Sequence, residues 1–222
     1  MTTAIILAAG KSERMGTGVD KAFLSLVSKP VVAWSMLAFE RCRDIDRIIL
    51  VVRKTQMDAA KALAKMFGIS KLQAVVAGGS RRQDSVKAGL AACAPETRIV
   101  AVHDGARPMV AGSTISAVVQ AAMKCGAATV GRRITDTVKR VSKSGVVEGT
   151  EDREKLWAVQ TPQAFDAKLL KEAYAANGAK AVTDDCALVE LSGAKPKIVE
   201  SNLPNFKITT VEDLQVAGSL LR

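Results

Sequence analysis

Aromatic and histidine side chains are scarce in this sequence of 222 residues. Aromatic residues make up 4% of the chain, and His103 is its single histidine. Proteins that bind RNA or single-stranded DNA stack bases on aromatic side chains, so this scarcity argues against nucleic acid as the partner. The formal net charge of +10 then favours an anionic small molecule or a lysine-rich surface.

Paired cysteines and long apolar runs are also absent. The four cysteines stand far apart with no CxxC pair, and we expect them to be reduced core residues. The amino-terminal stretch MTTAIILAAG has no basic segment before its apolar run, and no stretch approaches eighteen apolar residues. We therefore expect a soluble, cytoplasmic protein in which residues 1–222 form one domain.

Short apolar runs alternate with amphipathic stretches along most of the chain. The runs are rich in Ile and Val, which is typical of strands buried on both faces of a parallel sheet. This alternation predicts a doubly wound α/β fold, in which ligands bind beyond the carboxyl ends of the strands. The predicted strands are Thr3–Ala8, Arg47–Val52, Leu72–Val76 and Ile99–His103, and the predicted helices are Val31–Cys42, Thr55–Phe67, Gln83–Cys93 and Thr114–Lys124.

Two capping-box patterns predict where helices begin. Ser80 precedes Gln83 by three residues, directly after a pair of glycines, and Thr209 precedes Glu212 in the same way. In such a box the first side chain accepts a hydrogen bond from the third backbone amide, and the third side chain reaches back. We therefore expect one helix to begin just after the glycine pair, and the last helix to run through Leu221.

The alternation breaks down at about residues 132–160. Short strand-like pieces surround Ser144-Gly145, namely Val138–Val141, Val146–Val147 and Leu156–Val159. This pattern predicts a β-arm that stands off the main sheet. An isolated hairpin is marginally stable in water, so we expect the arm to pack on another subunit and form a homodimer.

The first predicted strand leads into a cationic loop, AIILAAGKSERMG (Ala4–Gly16). Its small residues allow backbone amides to approach a ligand, while Lys11, Arg14 and the following Lys21 supply positive charge. Backbone donors and cations together can bind a polyphosphate. The segment is not a P-loop, and it is not a GxGxxG motif either, because Ser12 stands where the second glycine would be.

A second candidate site follows the strand Ile99–His103. Asp104 lies at the expected carboxyl end of that strand and is followed by Gly105 and Arg107. Mg²⁺ in nucleotide sites takes one or two carboxylates together with substrate phosphate oxygens, so Asp104 alone can serve as the protein ligand. We expect His103 to be a packed core residue.

Eight segments, taken in order, resemble the 2-C-methyl-D-erythritol 4-phosphate cytidylyltransferase family. They run from residue 4 to residue 214 and so cover essentially the whole chain. They are AIILAAGKSERMG (Ala4–Gly16), the Lys21 that follows it, GGSRRQDSVKAGL (Gly78–Leu90), VHDGARP (Val102–Pro108), TDTVKR (Thr135–Arg140), WAVQTPQAF (Trp157–Phe165), TDD (Thr183–Asp185) and NFKITTVEDL (Asn205–Leu214).

The resemblance implies a Rossmann-like nucleotidyltransferase that transfers CMP from CTP to methylerythritol phosphate in the non-mevalonate route to isoprenoids. It implies Mg²⁺ dependence, with Asp104 as the metal ligand, and a homodimer joined through the β-arm. The catalytic cations implied by position are Arg14, Lys21 and Lys207. The residues implied at the nucleotide are Ala8, Ala9, Gly10, Gly79, Ser80, Ser85 and Asp104. Those implied at the sugar phosphate are Asp104, Arg107, Thr137, Arg153 and Thr161, with Thr137 and Arg153 supplied by the partner's arm.

Two departures from the family pattern bear most on the site. Asp20 stands where the family usually has proline before the phosphate-binding lysine, and an aspartate there could weaken the attraction of Lys21 for phosphate. Gly131-Arg-Arg-Ile134 replaces the usual apolar and proline residues that lead into the arm. Two alternatives stay open: a cytidylyltransferase for another polyol phosphate such as ribitol 5-phosphate, and a basic α/β protein that binds nucleic acid.

Overall fold

The computed structural model of the chain describes residues 1–10 and 20–221. Its strands in chain order are β1 (Thr2–Ala8), β2 (Ser25–Leu26), β3 (Lys29–Pro30), β4 (Arg47–Val52), β5 (Leu72–Ala77), β6 (Ile99–Asp104), β7 (Ala127–Arg133), β8 (Lys139–Val141), β9 (Val147–Thr150), β10 (Trp157–Asp166) and β11 (Lys197–Glu200). Its α-helices are α1 (Val31–Arg41), α2 (Met57–Met66), α3 (Arg82–Ala91), α4 (Gly112–Cys125), α5 (Ala167–Asn177), α6 (Asp185–Glu190) and α7 (Val211–Leu220).

Seven of the strands form one mixed, mostly parallel sheet in the order β11-β7-β10-β6-β1-β4-β5. β1 pairs in parallel with β4 and β6, whereas β10 runs antiparallel to both β6 and β7. The predicted doubly wound fold is therefore confirmed, and the antiparallel strand lies near its centre. Since β1, β4, β5 and β6 all point the same way, the loops that follow them meet at one edge of the sheet.

Helices cover both faces of this sheet. Apolar side chains of α1, α2 and α4 pack on one face, where Met36, Phe39 and Ile115 are fully buried. On the other face α3, α5 and α6 enclose a second core that contains Val86 and Leu170. A strand buried on both sides carries apolar residues without alternation, which explains why β4 reads RIILVV.

The N-cap of helix α3 lies one residue later than the capping-box pattern predicts. Arg81 occupies the N-cap position, and Asp84 accepts a hydrogen bond from the Arg81 backbone N–H at 3.2 Å. Gln83 instead turns inward and donates to the carbonyl oxygen of Lys180 at 2.7 Å. The prediction of a Ser80–Gln83 capping box was therefore wrong, because Asp84 closes the box on the N–H of Arg81 while Gln83 bonds to Lys180.

The last helix shows the same one-residue shift. Thr210 is the N-cap of α7, and Asp213 closes the capping box in place of Glu212. Asp213 also accepts hydrogen bonds from the backbone N–H and hydroxyl of Thr209, at 2.7 Å each. The helix then ends at Leu220, next to the predicted end at Leu221.

The arm in the structure is shorter than the predicted range, residues 132–160. Residues up to Arg133 belong to β7, and Trp157–Asp166 forms β10, so both ends of that range lie in the main sheet. Between them β8 and β9 form a separate two-stranded sheet whose side chains are almost all exposed. The prediction that Leu156–Val159 belongs to the arm was wrong for Trp157–Val159, because these three residues pair with β7 in the main sheet.

The cysteine prediction holds only in part. Cys42, Cys93, Cys125 and Cys186 are all free, and Cys42 and Cys186 are buried. Cys93 is half-buried and Cys125 is exposed at the end of α4, so neither is a core residue. In the described ranges, no helix is both long enough and apolar enough to cross a membrane.

Candidate active site

Two adjoining cavities open at the edge where the parallel strands end. The first has a volume of about 310 Å³ and the second about 290 Å³. Arg82, Asp104 and Lys207 line both cavities and so form the boundary between them. A molecule in one cavity therefore approaches a molecule in the other across these three side chains.

The first cavity is lined by the residues that the sequence predicts to bind a nucleotide. Among its described lining residues, six are basic and two are acidic, which makes it a site for an anion. The predicted residues found there are Ala8, Ala9, Gly10, Lys21, Gly79, Ser80, Ser85, Asp104 and Lys207. Arg14, the remaining predicted catalytic residue, lies outside the described residues, as does Lys11.

A tight glycine turn forms one wall of this first cavity. A Cβ atom added at Gly78 would lie 2.4 Å from the Ala9 Cβ and 2.7 Å from the Ser85 Oγ, and one added at Gly79 would lie 2.3 Å from the Asp84 Cβ. Only glycine fits at both positions without displacing its neighbours. The Ser85 hydroxyl completes the turn, because it donates to the Arg81 carbonyl and accepts from the Gly79 N–H, at 3.3 Å each.

The second cavity contains three of the five residues assigned to the sugar phosphate. Asp104, Arg107 and Thr161 line it, together with residues of β10 and the TDD segment. Thr137 and Arg153 line neither cavity. Arg153 instead donates through Nη1 to the carbonyl oxygen of Thr135, at 2.5 Å, within the exposed arm.

Asp104 is the electrostatic centre of the site. Its Oδ2 lies 3.0 Å from Lys207 Nζ and 3.6 Å from Arg107 Nε, and its Oδ1 lies 3.5 Å from Arg82 Nε. Burial alone would raise the pKa of Asp104, but the charges of Lys207, Arg82 and Arg107 outweigh it and hold the pKa well below its usual range. Asp104 is therefore ionised near neutral pH.

Backbone hydrogen bonds bring Lys207 to Asp104. The Ile208 N–H donates to the Ala106 carbonyl at 2.8 Å, and Arg107 Nη1 donates to the Asn205 carbonyl at 2.8 Å. Asn205 in turn donates through Nδ2 to the carbonyl of Thr161 at 2.8 Å. These bonds fix the loop before α7 to the ends of β6 and β10, and Lys207 lies in the middle of that loop.

His103 and Thr161 support Asp104 from behind. The Asp104 N–H donates to Thr161 Oγ1 at 3.0 Å, and Thr161 Oγ1 lies 3.1 Å from His103 Nδ1. His103 Nε2 contacts the carbonyl of Arg107 at 3.2 Å, and a carbonyl only accepts, so the ring proton sits on Nε2 and Nδ1 accepts from Thr161. Burial lowers the pKa of His103 to about 4, which confirms it as a neutral core residue.

The sequence reasoning assigned no role to Arg82, although it lies within the motif GGSRRQDSVKAGL. Arg82 Nη1 donates to Asp185 Oδ2 at 2.7 Å, and the Tyr174 hydroxyl donates to Asp185 Oδ1 at 2.5 Å. Burial opposes the charge of Arg82, but Asp185 and Asp104 outweigh it and raise the pKa further above its usual value. The motif could have indicated a functional arginine, but its sequence does not distinguish Arg82 from the exposed Arg81.

Gln163 of β10 and Asp184 of the TDD segment are two more residues that were missed. Gln163 donates through Nε2 to Asp184 Oδ2 at 2.7 Å, and Gln163 and Asp184 both line the second cavity. Gln163 also accepts the backbone N–H of Asp185 at 3.1 Å through Oε1. The side chain of Gln163 therefore joins β10 to the start of α6, across the floor of the second cavity.

These features define a nucleotidyltransferase. A basic cavity with a tight glycine turn lies at the carboxyl ends of the strands of a mostly parallel sheet. A second, polar cavity adjoins it. The model of the 2-C-methyl-D-erythritol 4-phosphate cytidylyltransferase family matches residues 2–222. The chain belongs to this family.

Individual relatives agree with this assignment. The chain is 45% identical to the 2-C-methyl-D-erythritol 4-phosphate cytidylyltransferase of Pelotomaculum thermopropionicum, covering 99% of this chain and 93% of the relative. A 4-diphosphocytidyl-2C-methyl-D-erythritol synthase from Anaerococcus prevotii has a similar crystal structure, with a TM-score of 0.88, 32% identity and coverage of 99% and 95%. The Thermus thermophilus enzyme gives a TM-score of 0.81 at 30% identity, with coverage of 99% and 98%.

Proposed function

We propose that this protein transfers CMP from CTP to 2-C-methyl-D-erythritol 4-phosphate and releases pyrophosphate. A phosphate oxygen of the acceptor forms a bond to the α-phosphorus of CTP, and the bond from that phosphorus to the bridging oxygen of the β-phosphate breaks. Pyrophosphate leaves with the electron pair. The observation that carries the proposal is the pair of adjoining cavities that share Arg82, Asp104 and Lys207.

CTP occupies the first cavity in this proposal. The turn at Gly78-Gly79 contacts the base, because its crowded backbone leaves space for a small ring. Lys21 and Lys207 contact the phosphates and stabilise the charge that develops at the α-phosphorus. Such transfers depend mainly on positioning and electrostatic stabilisation, so fixed cations contribute more than any covalent chemistry from the protein.

The acceptor occupies the second cavity, with its phosphate toward Arg107 and Lys207. That phosphate is already an anion near neutral pH, so the reaction requires no general base. The buried residues beside it agree with this, since His103 is completely buried and neutral and Asp104 is paired with three cations. The side chains here bind and orient the acceptor without moving its proton.

Mg²⁺ is part of the proposal, held mainly by the triphosphate. Asp104 suits it as the single protein ligand, because its pKa is lowered and its carboxylate lines both cavities. The bound ion would neutralise charge on the phosphate oxygens. No group of three or more His, Cys, Asp or Glu side chains gathers within the described residues, which agrees with a site completed by substrate oxygens.

A homodimer completes the acceptor site in this proposal. Thr137 and Arg153 lie on or beside the exposed β8–β9 hairpin, and neither lines the first or the second cavity of its own chain. If the arm packs against a second copy, both residues can reach the second cavity of that copy. A cytoplasmic location belongs to the same proposal, since CTP is an intracellular substrate.

A pyrophosphate-release assay tests the activity. Purified protein is assayed with the four nucleoside triphosphates against a panel containing 2-C-methyl-D-erythritol 4-phosphate and ribitol 5-phosphate, with and without Mg²⁺. We expect release only with CTP and 2-C-methyl-D-erythritol 4-phosphate in the presence of Mg²⁺, and much less from Lys21→Ala. Preference for ribitol 5-phosphate, or no release with any acceptor, would overturn the proposal.

A further inference from the structure

Arg53 lies in the first cavity, although no motif of the sequence includes it. It follows directly after β4, and its guanidinium contacts two different segments that border the cavity. Nη2 donates to the carbonyl of Gly10 at 3.2 Å, and Nε lies 3.4 Å from Asp20 Oδ2. One side chain therefore contacts both the end of the β1 segment and the residue that precedes Lys21.

Asp20 determines how the Lys21 segment begins. Its Oδ1 accepts the backbone N–H of Ala22 at 3.2 Å and so caps a short turn of 3-10 helix, Lys21–Phe23. Asp20 and Ala22 are both 3% exposed, so the start of this turn is fixed in the protein interior. Lys21 is the first residue of the turn and lines the cavity beside Asp20.

A carboxylate at this position is unfavourable for a cavity that binds phosphates. Burial raises the pKa of Asp20, while the hydrogen bond from Ala22 and the charges of Arg53 and Lys21 favour the ionised form. Asp20 Oδ2 and Arg53 Nε are both buried and have no hydrogen-bond partner among the described residues, so their ion pair is what offsets this burial. The charge of Asp20 already acts on Lys21, and without Arg53 it would be uncompensated beside a bound polyphosphate.

We propose that Arg53 is a positioning residue of the triphosphate site, which offsets the charge of Asp20 and so strengthens the attraction of the cavity for the phosphates of CTP. The inference rests on the proposed function, because it takes the first cavity as the CTP site. The pair acts on CTP alone, since neither residue lines the second cavity. The contact with Gly10 holds the guanidinium in place against Asp20.

A double-mutant cycle on CTP binding tests this inference. The proteins are the wild type, Asp20→Asn, Arg53→Gln and the double variant. Asparagine retains the Oδ1 that caps the turn and removes the charge. Calorimetry with CTP and Mg²⁺, without acceptor, gives Kd directly, so the measurement does not depend on which acceptor the enzyme uses. Arg47→Gln is the matched control, because Arg47 lies at the opposite end of β4 and pairs with Glu96 on the surface.

We expect Arg53→Gln to weaken CTP binding about tenfold or more, because the negative charge of Asp20 then remains uncompensated beside the phosphates. Adding Asp20→Asn should restore most of that loss, so that the double variant binds CTP within about threefold of the wild type. The KM of the acceptor should change little. Arg53→Gln should lower the unfolding midpoint, because Asp20 is then buried without its ion pair, and Asp20→Asn should restore the midpoint in the double variant. If Arg53→Gln fails to fold, the double variant still tests the inference through its Kd.

Two results would overturn the inference. The first is that the substitutions act additively or that the double variant is as weak as Arg53→Gln, because Arg53 would then not act through Asp20. The second is that the KM of the acceptor rises in parallel with the Kd of CTP, which indicates a purely structural role. Failure of the wild type to bind CTP would instead overturn the proposed function.

Discussion

Lys207 Nζ lies 3.0 Å from Asp104 Oδ2, although the two residues come from opposite halves of the chain. This ion pair stands at the boundary of the two cavities, where the α-phosphate of CTP must meet the acceptor phosphate. Arg82 and Arg107 approach the same carboxylate. Arg82 also pairs with Asp185, so these three cations face two carboxylates and leave a net positive charge that attracts the two phosphates that react there.

Removal of the Lys207 charge should impair the chemical step. We expect Lys207→Ala to lower kcat/KM by about 10²-fold, the scale of losing one preorganised electrostatic contact at the reacting phosphorus. Steady-state kinetics with both substrates measure this. Lys197→Ala is the control, since Lys197 is an exposed lysine on β11 and its loss should leave the kinetics unchanged. Near-normal turnover of Lys207→Ala would remove Lys207 from the reaction.

Arg153→Ala should affect the acceptor more than the nucleotide. Its position on the arm predicts a rise in the KM for 2-C-methyl-D-erythritol 4-phosphate that exceeds any rise in the KM for CTP. If the arm reaches into a partner, mixing Arg153→Ala with Lys21→Ala should restore activity, because each mixed dimer then has one intact site. The control is each variant put through the same mixing alone. Absence of recovery would contradict a site shared between protomers.

Gly78→Ala should disturb the CTP site. The new methyl group would overlap Ala9 and Ser85, and overpacking of this kind costs about 1–3 kcal/mol. We expect a higher KM for CTP and a lower unfolding midpoint, measured by kinetics and calorimetry. Gly112→Ala is the matched control, because a Cβ at the start of α4 meets no atom within 4 Å. Equal behaviour of the two variants would argue against a tight turn at Gly78.

His103 should make stability depend on pH in the acid range. Its pKa is about 4 in the folded protein and about 6.5 in the unfolded chain, so the unfolded chain binds the extra proton first. Stability therefore falls as the pH drops from about 6.5 to about 4, by roughly 3 kcal/mol in total. Urea unfolding in EDTA, compared with His103→Gln, isolates this effect because the chain has no other histidine. Identical pH profiles would contradict it.

Much of the site could be predicted from the sequence because its parts are local. Gly79, Ser80 and Ser85 lie within one turn and the helix that follows it, and Ala8, Ala9 and Gly10 follow a strand that its apolar run identifies. Asp104 was predicted at the end of a strand, and it is the last residue of β6. In each case the local pattern fixes the position, because parallel strands place their carboxyl ends together.

Other features escaped prediction because they depend on contacts between distant segments. The apolar alternation of Leu156–Val159 fits an arm strand and a sheet strand equally well, and pairing with β7 decided between them. Asp20 was interpreted from its neighbour Lys21 alone, whereas Arg53, from the end of β4, compensates its charge. Cys125 was expected in the core, but the end of α4 leaves it exposed.

The sequence by itself determined the α/β class, most strand positions and the family, because apolar periodicity and the order of the motifs are properties of the linear sequence. Only the tertiary structure decided that Lys207 meets Asp104, that Arg82 joins the two cavities, and that Arg53 faces Asp20. The physical reason is that charge pairing acts through space over a few ångströms, and the fold alone determines which distant charges come that close.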